Sequence, residues 1–244
     1  MLHCWQDILA AGIKPADVQV LGFGGGEIAA FEYRLALALG ATVGVASGTG
    51  GAADELLKDS LWSAMPGLRL FPLPSDAKTL RAFVVPDGFK FDPGVLDVMA
   101  REFHARYLAG NVKKIRPETL KPWDYLPDTY KKANREQAAY AIRILETAGF
   151  GVRKAQGQPV IFKGFEPEEI ELMAQLEHGR WTIERLREGW RPGPRNDDKK
   201  LHNCLVAWSE DKVLTEEMKG YDRTAVGAFP EILAKAGLEV YRKQ

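Results

Sequence analysis

Two stretches of the chain repeat each other without a gap. Residues 91–107 (FDPGVLDVMAREFHARY) align with residues 165–181 (FEPEEIELMAQLEHGRW) at a shift of 74. Six of the 17 positions are identical: Phe91/Phe165, Pro93/Pro167, Met99/Met173, Ala100/Ala174, His104/His178 and Arg106/Arg180. Residues 126–154 align with residues 214–242 at a shift of 88, with eight of 29 positions identical, among them Arg135/Arg223, Leu145/Leu233, Gly149/Gly237 and Val152/Val240. Self-similarity constrains a fold before any single motif does, because what one copy folds into must also suit the other. The shift grows from 74 to 88, so the second copy holds 14 extra residues between Trp181 and Leu214.

Each copy reads as helix, connector, helix and short strand. In the second copy Pro167 suits an early helical position. Leu172, Leu176, Gly179, Ile183 and Leu186 make one helical face, and His178, Trp181 and Arg185 an adjacent one. A second helix is expected over about Arg223 to Lys235, stopped by Gly237, with Leu238 to Tyr241 alternating like an edge strand. The extra segment, GWRPGPRNDDKKLHNCLVAW over 189–208, carries Trp190, Arg191, Arg195 and Asp198 in a loop-like composition. Arginine suits phosphate and tryptophan suits base stacking, so this loop and the His178/Trp181/Arg185 face are read as a ligand pocket. The His104/His178 identity is internal to the repeat, which favours a shared packing or hydrogen-bonding role over metal binding. No zinc spacing, GxSxG elbow or Cys–His arrangement occurs, and neither a metal site nor a catalytic group is assigned. The basic cluster Lys113, Lys114, Arg116 and Lys121 reads as a solvated loop.

The first third alternates strand and helix. Val18 to Phe23 is a short apolar run ended by glycine, Glu27 to Leu39 a helix with Ile28, Phe31, Leu35 and Leu39 at helical spacing, and Gly40 its stop. Thr42 to Ala46 is a second strand, Ala52 to Lys58 a second helix, Leu68 to Phe71 a third strand and Asp76 to Phe83 a further helix. This order implies a parallel sheet with right-handed crossovers, whose ligands sit at the carboxyl ends of the strands. Two glycine-rich loops fall there: Gly24, Gly25, Gly26 and Glu27, then Ser47, Gly48, Thr49, Gly50 and Gly51. Glycine lets backbone approach an anion and a helix N-terminus offers free N–H groups, so both loops are candidate nucleotide contacts. The dinucleotide fingerprint is incomplete, since Glu27 stands where its third glycine belongs, and no GxxxxGK[ST] loop occurs.

Lys and Arg number 33, as do Asp and Glu, so the net charge is zero and a DNA-binding role is disfavoured. The longest apolar run, residues 35–46, has 12 residues against the roughly 20 needed to span a membrane. Cys4 and Cys204 form no CxxC pair, so a reducing, cytoplasmic setting is expected.

The segment GFGGGEIAAFEYRLALALGATVGVASGTGGAADELL, residues 22–57, resembles the SLOG superfamily, nearest the prokaryotic relatives of the cytosolic domain of melastatin-type TRP channels. That resemblance implies a Rossmann-like sheet and binding of nucleotides or their derivatives. Cytokinin-activating phosphoribohydrolases of the same superfamily imply an alternative in which Glu55 acts on a glycosidic bond. The segment LEHGRWTIERLREGWRPGPRNDDKKLHNCLVAWSEDKVLTEEMKGYDR is similar to the RyR domain, the repeat of ryanodine receptors. The matching residues are His178 and Trp181; Gly189 and Trp190; Asp197, Asp198 and Lys200; His202, Leu205 and Val206; and Leu214, Lys219, Asp222 and Arg223. Asn203 replaces the proline that often follows the family histidine. In bacteria such domains occur beside SLOG domains in proteins proposed to sense nucleotide signals in phage conflict.

The expected architecture is therefore an α/β Rossmann-like domain over residues 1–88, a degenerate RyR-like repeat over 89–160 and a RyR repeat over 161–244, the two mainly helical α+β repeats being related by internal pseudo-symmetry. The expected function is a cytoplasmic, non-catalytic sensor of a nucleotide or ADP-ribose-type ligand, with no DNA or membrane partner. A protein-interaction scaffold is the further alternative, and a second copy or an effector protein is the partner left open.

Overall fold

The first third of the chain alternates strand and helix, as its apolar runs require. The computed structural model describes residues 2–84, 92–110 and 119–243. Its first elements are α1 (Leu2–Ala10), β1 (Gln19–Gly22), α2 (Glu27–Leu39), β2 (Thr42–Ala46), α3 (Gly51–Lys58), α4 (Ser60–Ser63), β3 (Arg69–Leu73) and α5 (Ala77–Val84). The strands form one parallel sheet of order β1-β2-β3, with Gln19 opposite Thr42 and Thr42 opposite Arg69. All five residues of the central strand β2 are buried, the pattern of a strand covered on both faces.

Two glycines let helices seat on that sheet. A Cβ on Gly44 would lie 2.7 Å from the Leu73 and Phe83 side chains, and one on Gly22 would lie 2.8 Å from the Tyr33 ring. Gly22 pairs with Val45, and Leu21 with Gly44, so the two glycines point to opposite faces. Tyr33 of α2 therefore covers one face and Phe83 of α5 the other. Helix α2 ends at Gly40, whose φ of +93° is left-handed and whose N–H caps the carbonyls of Ala36 and Leu37. Its buried side is Tyr33, Ala36 and Leu37. The apolar series read at helical spacing points elsewhere, with Ile28, Phe31 and Leu39 exposed.

The remaining elements are α6 (Pro93–Gly110), α7 (Asp128–Thr147), β4 (Phe150–Lys154), α8 (Pro167–Arg187), β5 (Arg191–Pro192), β6 (Leu201–His202), α9 (Glu216–Gly227), α10 (Phe229–Lys235) and β7 (Leu238–Arg242). The helix expected to begin near Arg223 begins at Glu216 and breaks at Ala228. Pro230 in the first turn of α10 has no N–H to give to an incoming helix, which accounts for the break. Strands β4 and β7 pair antiparallel, with Phe150 opposite Arg242, Val152 opposite Val240 and Lys154 opposite Leu238.

Contacts group the chain into two units. The first comprises Met1–Val85 and His178–Thr215, the second Pro86–Glu177 and Glu216–Gln244. The core of the first is built from Leu37, Val43, Val45, Ala53, Leu56 and Leu70. In the second, Met99, Ile142, Leu145, Phe150, Met173 and Leu233 are fully buried, and the Phe103 and Phe229 rings meet edge to face at 5.9 Å.

Candidate functional site

The glycine loops of the first unit are tied to each other. Gly24 N–H donates to Thr49 Oγ1 at 2.9 Å, and Thr49 Oγ1 donates to the Ala46 carbonyl at 2.7 Å. Gly48 and Gly50 N–H donate to the two Asp54 carboxylate oxygens at 2.8 and 2.9 Å. Ala52 and Ala53 N–H donate to the carbonyls of Gly25 and Gly24, and Ser47 N–H to that of Leu73. The donors that a phosphate would use at the start of α3 are thus held by a carboxylate and two carbonyls. Gly51 has φ +52°, and a Cβ there would collide with the Gly25 carbonyl, so the loops meet only because this residue is glycine. Gly25, Gly26 and Glu27 lie exposed at the start of α2, where no side chain caps the helix. Asp54, which the sequence reading passed over, does the work of an acid here, while Glu55 is exposed. The signal was available: an acid in the first turn of a helix complements its positive end.

In the segment 178–215 the rings fill space rather than line it. His178 is buried and its Nε2–H donates to the Val206 carbonyl at 3.0 Å. Its ring lies 5.9 Å from Trp181 and 5.4 Å from Trp208. His202 in turn meets Trp181 edge-on at 5.0 Å and Trp190 at 5.9 Å. Cys204 N–H donates to His202 Nδ1, which places the lone pair on that nitrogen. Trp190 is buried, with the Arg195 guanidinium 5.4 Å from its ring centre, so it offers no free stacking face. Trp208 is the ring the sequence reading missed.

The same imidazole arrangement occurs in the second unit. His104 Nε2–H donates to the Lys121 carbonyl at 2.7 Å, and the ring lies 6.4 Å from Tyr107 and 5.9 Å from Trp123. In each case the accepting carbonyl stands two residues before the tryptophan. Both histidines thus pack and hydrogen-bond, as the repeat implied. Phe91, Lys113, Lys114 and Arg116 lie outside the described residues.

The arginines differ in what holds them. Arg185 donates to Glu184 at 2.7 Å and pairs with Glu188 at 2.8 Å, and Arg180 also pairs with Glu184. Burial alone would push the Glu184 carboxyl up, but the two guanidiniums outweigh it and hold the group below its usual range. Arg195 pairs with Asp197, and Asp198 is exposed in the turn before β6.

Arg191 is different. Its Nη1 donates to the carbonyls of Leu186 at 3.3 Å and Trp190 at 2.8 Å, and its guanidinium lies 5.9 Å from the Phe71 ring centre. Burial lowers its pKa from the ordinary value, and no carboxylate among the described residues is paired with it. A half-buried guanidinium with no paired carboxylate among the described residues has donors suited to an oxyanion. Phe71 on β3 thus brings the N-terminal sheet and residue 191 together inside one unit.

Residues 165–242 match the family model of the RyR domain, so the chain carries a RyR domain there. No curated protein matches the chain.

Proposed function

We propose, with the RyR domain of residues 165–242 as premise, that this protein binds a nucleotide or nucleotide-derived ligand through an anionic group held by Arg191, and serves as a non-catalytic intracellular sensor. The observation that carries this reading is the half-buried Arg191 guanidinium without a paired carboxylate among the described residues. Its planar donors suit a phosphate, and the sensor role follows from the RyR and SLOG resemblances. The exposed Gly25 to Glu27 at the start of α2 are the part of the glycine loops left for a second contact. The phosphoribohydrolase reading has less behind it, because Glu55 is exposed and Asp54 is engaged by Gly48 and Gly50.

The proposal includes the three-part division at 88/89 and 160/161, with a Rossmann-like, SLOG-type first part and two RyR-type repeats. Several paired features support the repeats. Arg135 binds Asp97 and Arg223 binds Glu171, both across equivalent positions. Lys131 pairs with Asp128 and Lys219 with Glu216. Helix α7 spans 128–147, and α9 with α10 spans 216–235, the same interval moved by 88. Val152 and Val240 are equivalent residues and pair with each other, so exchanging the copies leaves the β4–β7 register unchanged.

The test is a thermal-shift series with nucleotides, cyclic nucleotides, NAD and ADP-ribose on the wild type and Arg191→Gln. A ligand at 100 times its Kd stabilises by about 2.7 kcal/mol, several degrees for a chain of this size. The expected outcome is a shift in the wild type that Arg191→Gln abolishes. A shift of equal size in the variant removes Arg191 from the site, and a flat series in the wild type removes the ligand class.

A further inference from the structure

Helix α2 is apolar on both sides. Its inner side is packed through Tyr33, Ala36 and Leu37. Its outer side presents Ile28 at 72% exposure, Phe31 at 53% and Leu39 at 37%, with Leu35 half-buried between them and Phe23, at 50%, just before the helix. Residues 28, 31, 35 and 39 are spaced i, i+3, i+7 and i+11, one continuous stripe along three turns. A surface helix of a globular protein carries its polar residues on the outward side, and a helix apolar all round belongs in an interior. Here Glu27 and Glu32 merely flank the stripe.

We propose that this outer face of α2 is an interface between two copies of the chain, formed by antiparallel packing of their α2 helices about a two-fold axis. The stripe is complementary to its own reverse. When two such helices run antiparallel, Ile28 of each meets Leu39 of the other and Phe31 of each meets Leu35 of the other, every contact occurring twice. Large side chains then meet large ones along the whole stripe, and antiparallel alignment also sets opposite helix-dipole ends side by side.

The area agrees with this occupant. These side chains leave roughly 400 Å² of apolar surface uncovered per copy, the size of the largest patch on a typical monomer, which is often functional. Two copies together supply about 800 Å². A standard interface of about 1,600 Å² is some 57% apolar, or about 900 Å². Self-pairing of the stripe, with Phe23 at its end, thus supplies at most about 800 Å² of the apolar area a standard interface uses.

The experiment is light scattering and sedimentation equilibrium on the full chain over a concentration series reaching high micromolar. The wild type is expected to approach twice the chain mass of 27.1 kDa, and the double variant Ile28→Lys/Phe31→Lys to stay at 27.1 kDa with unchanged circular dichroism. Both side chains are more than half exposed, so lysine is accommodated without opening the core. Leu39→Glu, at the other end of the stripe, is expected to weaken association by itself. Val160→Lys, at an equally exposed apolar position in the other unit, is expected to dimerise as the wild type does. A wild type that stays monomeric throughout overturns the proposal and assigns the face to a different occupant. A dimer that survives the double variant, or that Val160→Lys dissociates equally, overturns it as well.

Discussion

A methyl group on Gly179 would lie 2.9 Å from the backbone of Lys78 and Thr79. Backbone in the first turn of α5 cannot step aside as the tip of a lysine can. Alanine favours a helix over glycine by about 1 kcal/mol, while overpacking costs about 1–3 kcal/mol. The close approach decides the sign, and Gly179→Ala is expected to lower Tm. Ala105, the residue at the matching position of the first repeat, is exposed, so Ala105→Gly is expected to lose only the propensity difference. Thermal melts of both variants check the pair; a rise in Tm for Gly179→Ala contradicts the α5–α8 contact. Nothing local announces this contact. The 179 position reads as one member of an apolar face, and only the fold shows that its neighbour is a main chain. Trp208 was hidden for a related reason: it packs on His178, brought near by the turns after α8, and it lies at no spacing that helix or strand periodicity can flag.

At the scale of elements, boundaries were legible where the chain carries its own punctuation. Gly40 and Gly237 end their helices because both adopt left-handed φ, and Pro167 opens α8. Faces were less legible. Helix α2 is apolar on two sides, so periodicity could not say which one the sheet covers. The pocket expected from His178, Trp181 and Trp190 was read from correct proximity, but the rings satisfy one another. Helix α8 shows what such packing does to charge. Glu184 sits between Arg180 and Arg185, and its carboxyl is held below the ordinary value of 4.5. A carboxyl with a depressed folded pKa gives its full stabilisation above the unfolded value and loses it as pH falls through the folded one. Glu184→Gln removes the carboxylate that Arg180 and Arg185 share, while Arg185 keeps Glu188, and is expected to cost about 1.5–3 kcal/mol at pH 7. The difference in stability from the wild type is expected to narrow as pH falls below the ordinary value of 4.5. Urea denaturation of both proteins from pH 7 to pH 3 reads this directly, and a constant difference across that range contradicts the charge assignment.

At the scale of the whole molecule, the RyR segment does not coincide with a unit of the structure. Of residues 165–242, the stretch 178–215 belongs with the N-terminal sheet, while 165–177 and 216–242 belong with the other unit. Its closing strand β7 takes its main-chain hydrogen bonds from β4, which lies before the segment. Gly179 and Arg191 rest on Lys78, Thr79 and Phe71, also outside it. A two-stranded sheet stripped of one strand leaves an unpaired edge, and α10, which carries the buried Leu233, loses α6, which packs against it. Residues 165–242 expressed alone are therefore expected to melt without cooperativity. Extending the segment back to residue 92 restores β4, α6 and α7 and is expected to recover a cooperative transition for the second unit. The stretch 178–215 needs residues 1–85 in addition, so protection of the Trp190 indole N–H from hydrogen exchange is expected only in the full chain. Calorimetry of the three chains, with exchange read at Trp190, tests this order. A cooperative melt of 165–242 by itself shows instead that the repeat is self-sufficient and that its contacts on both sides are additions to a finished fold.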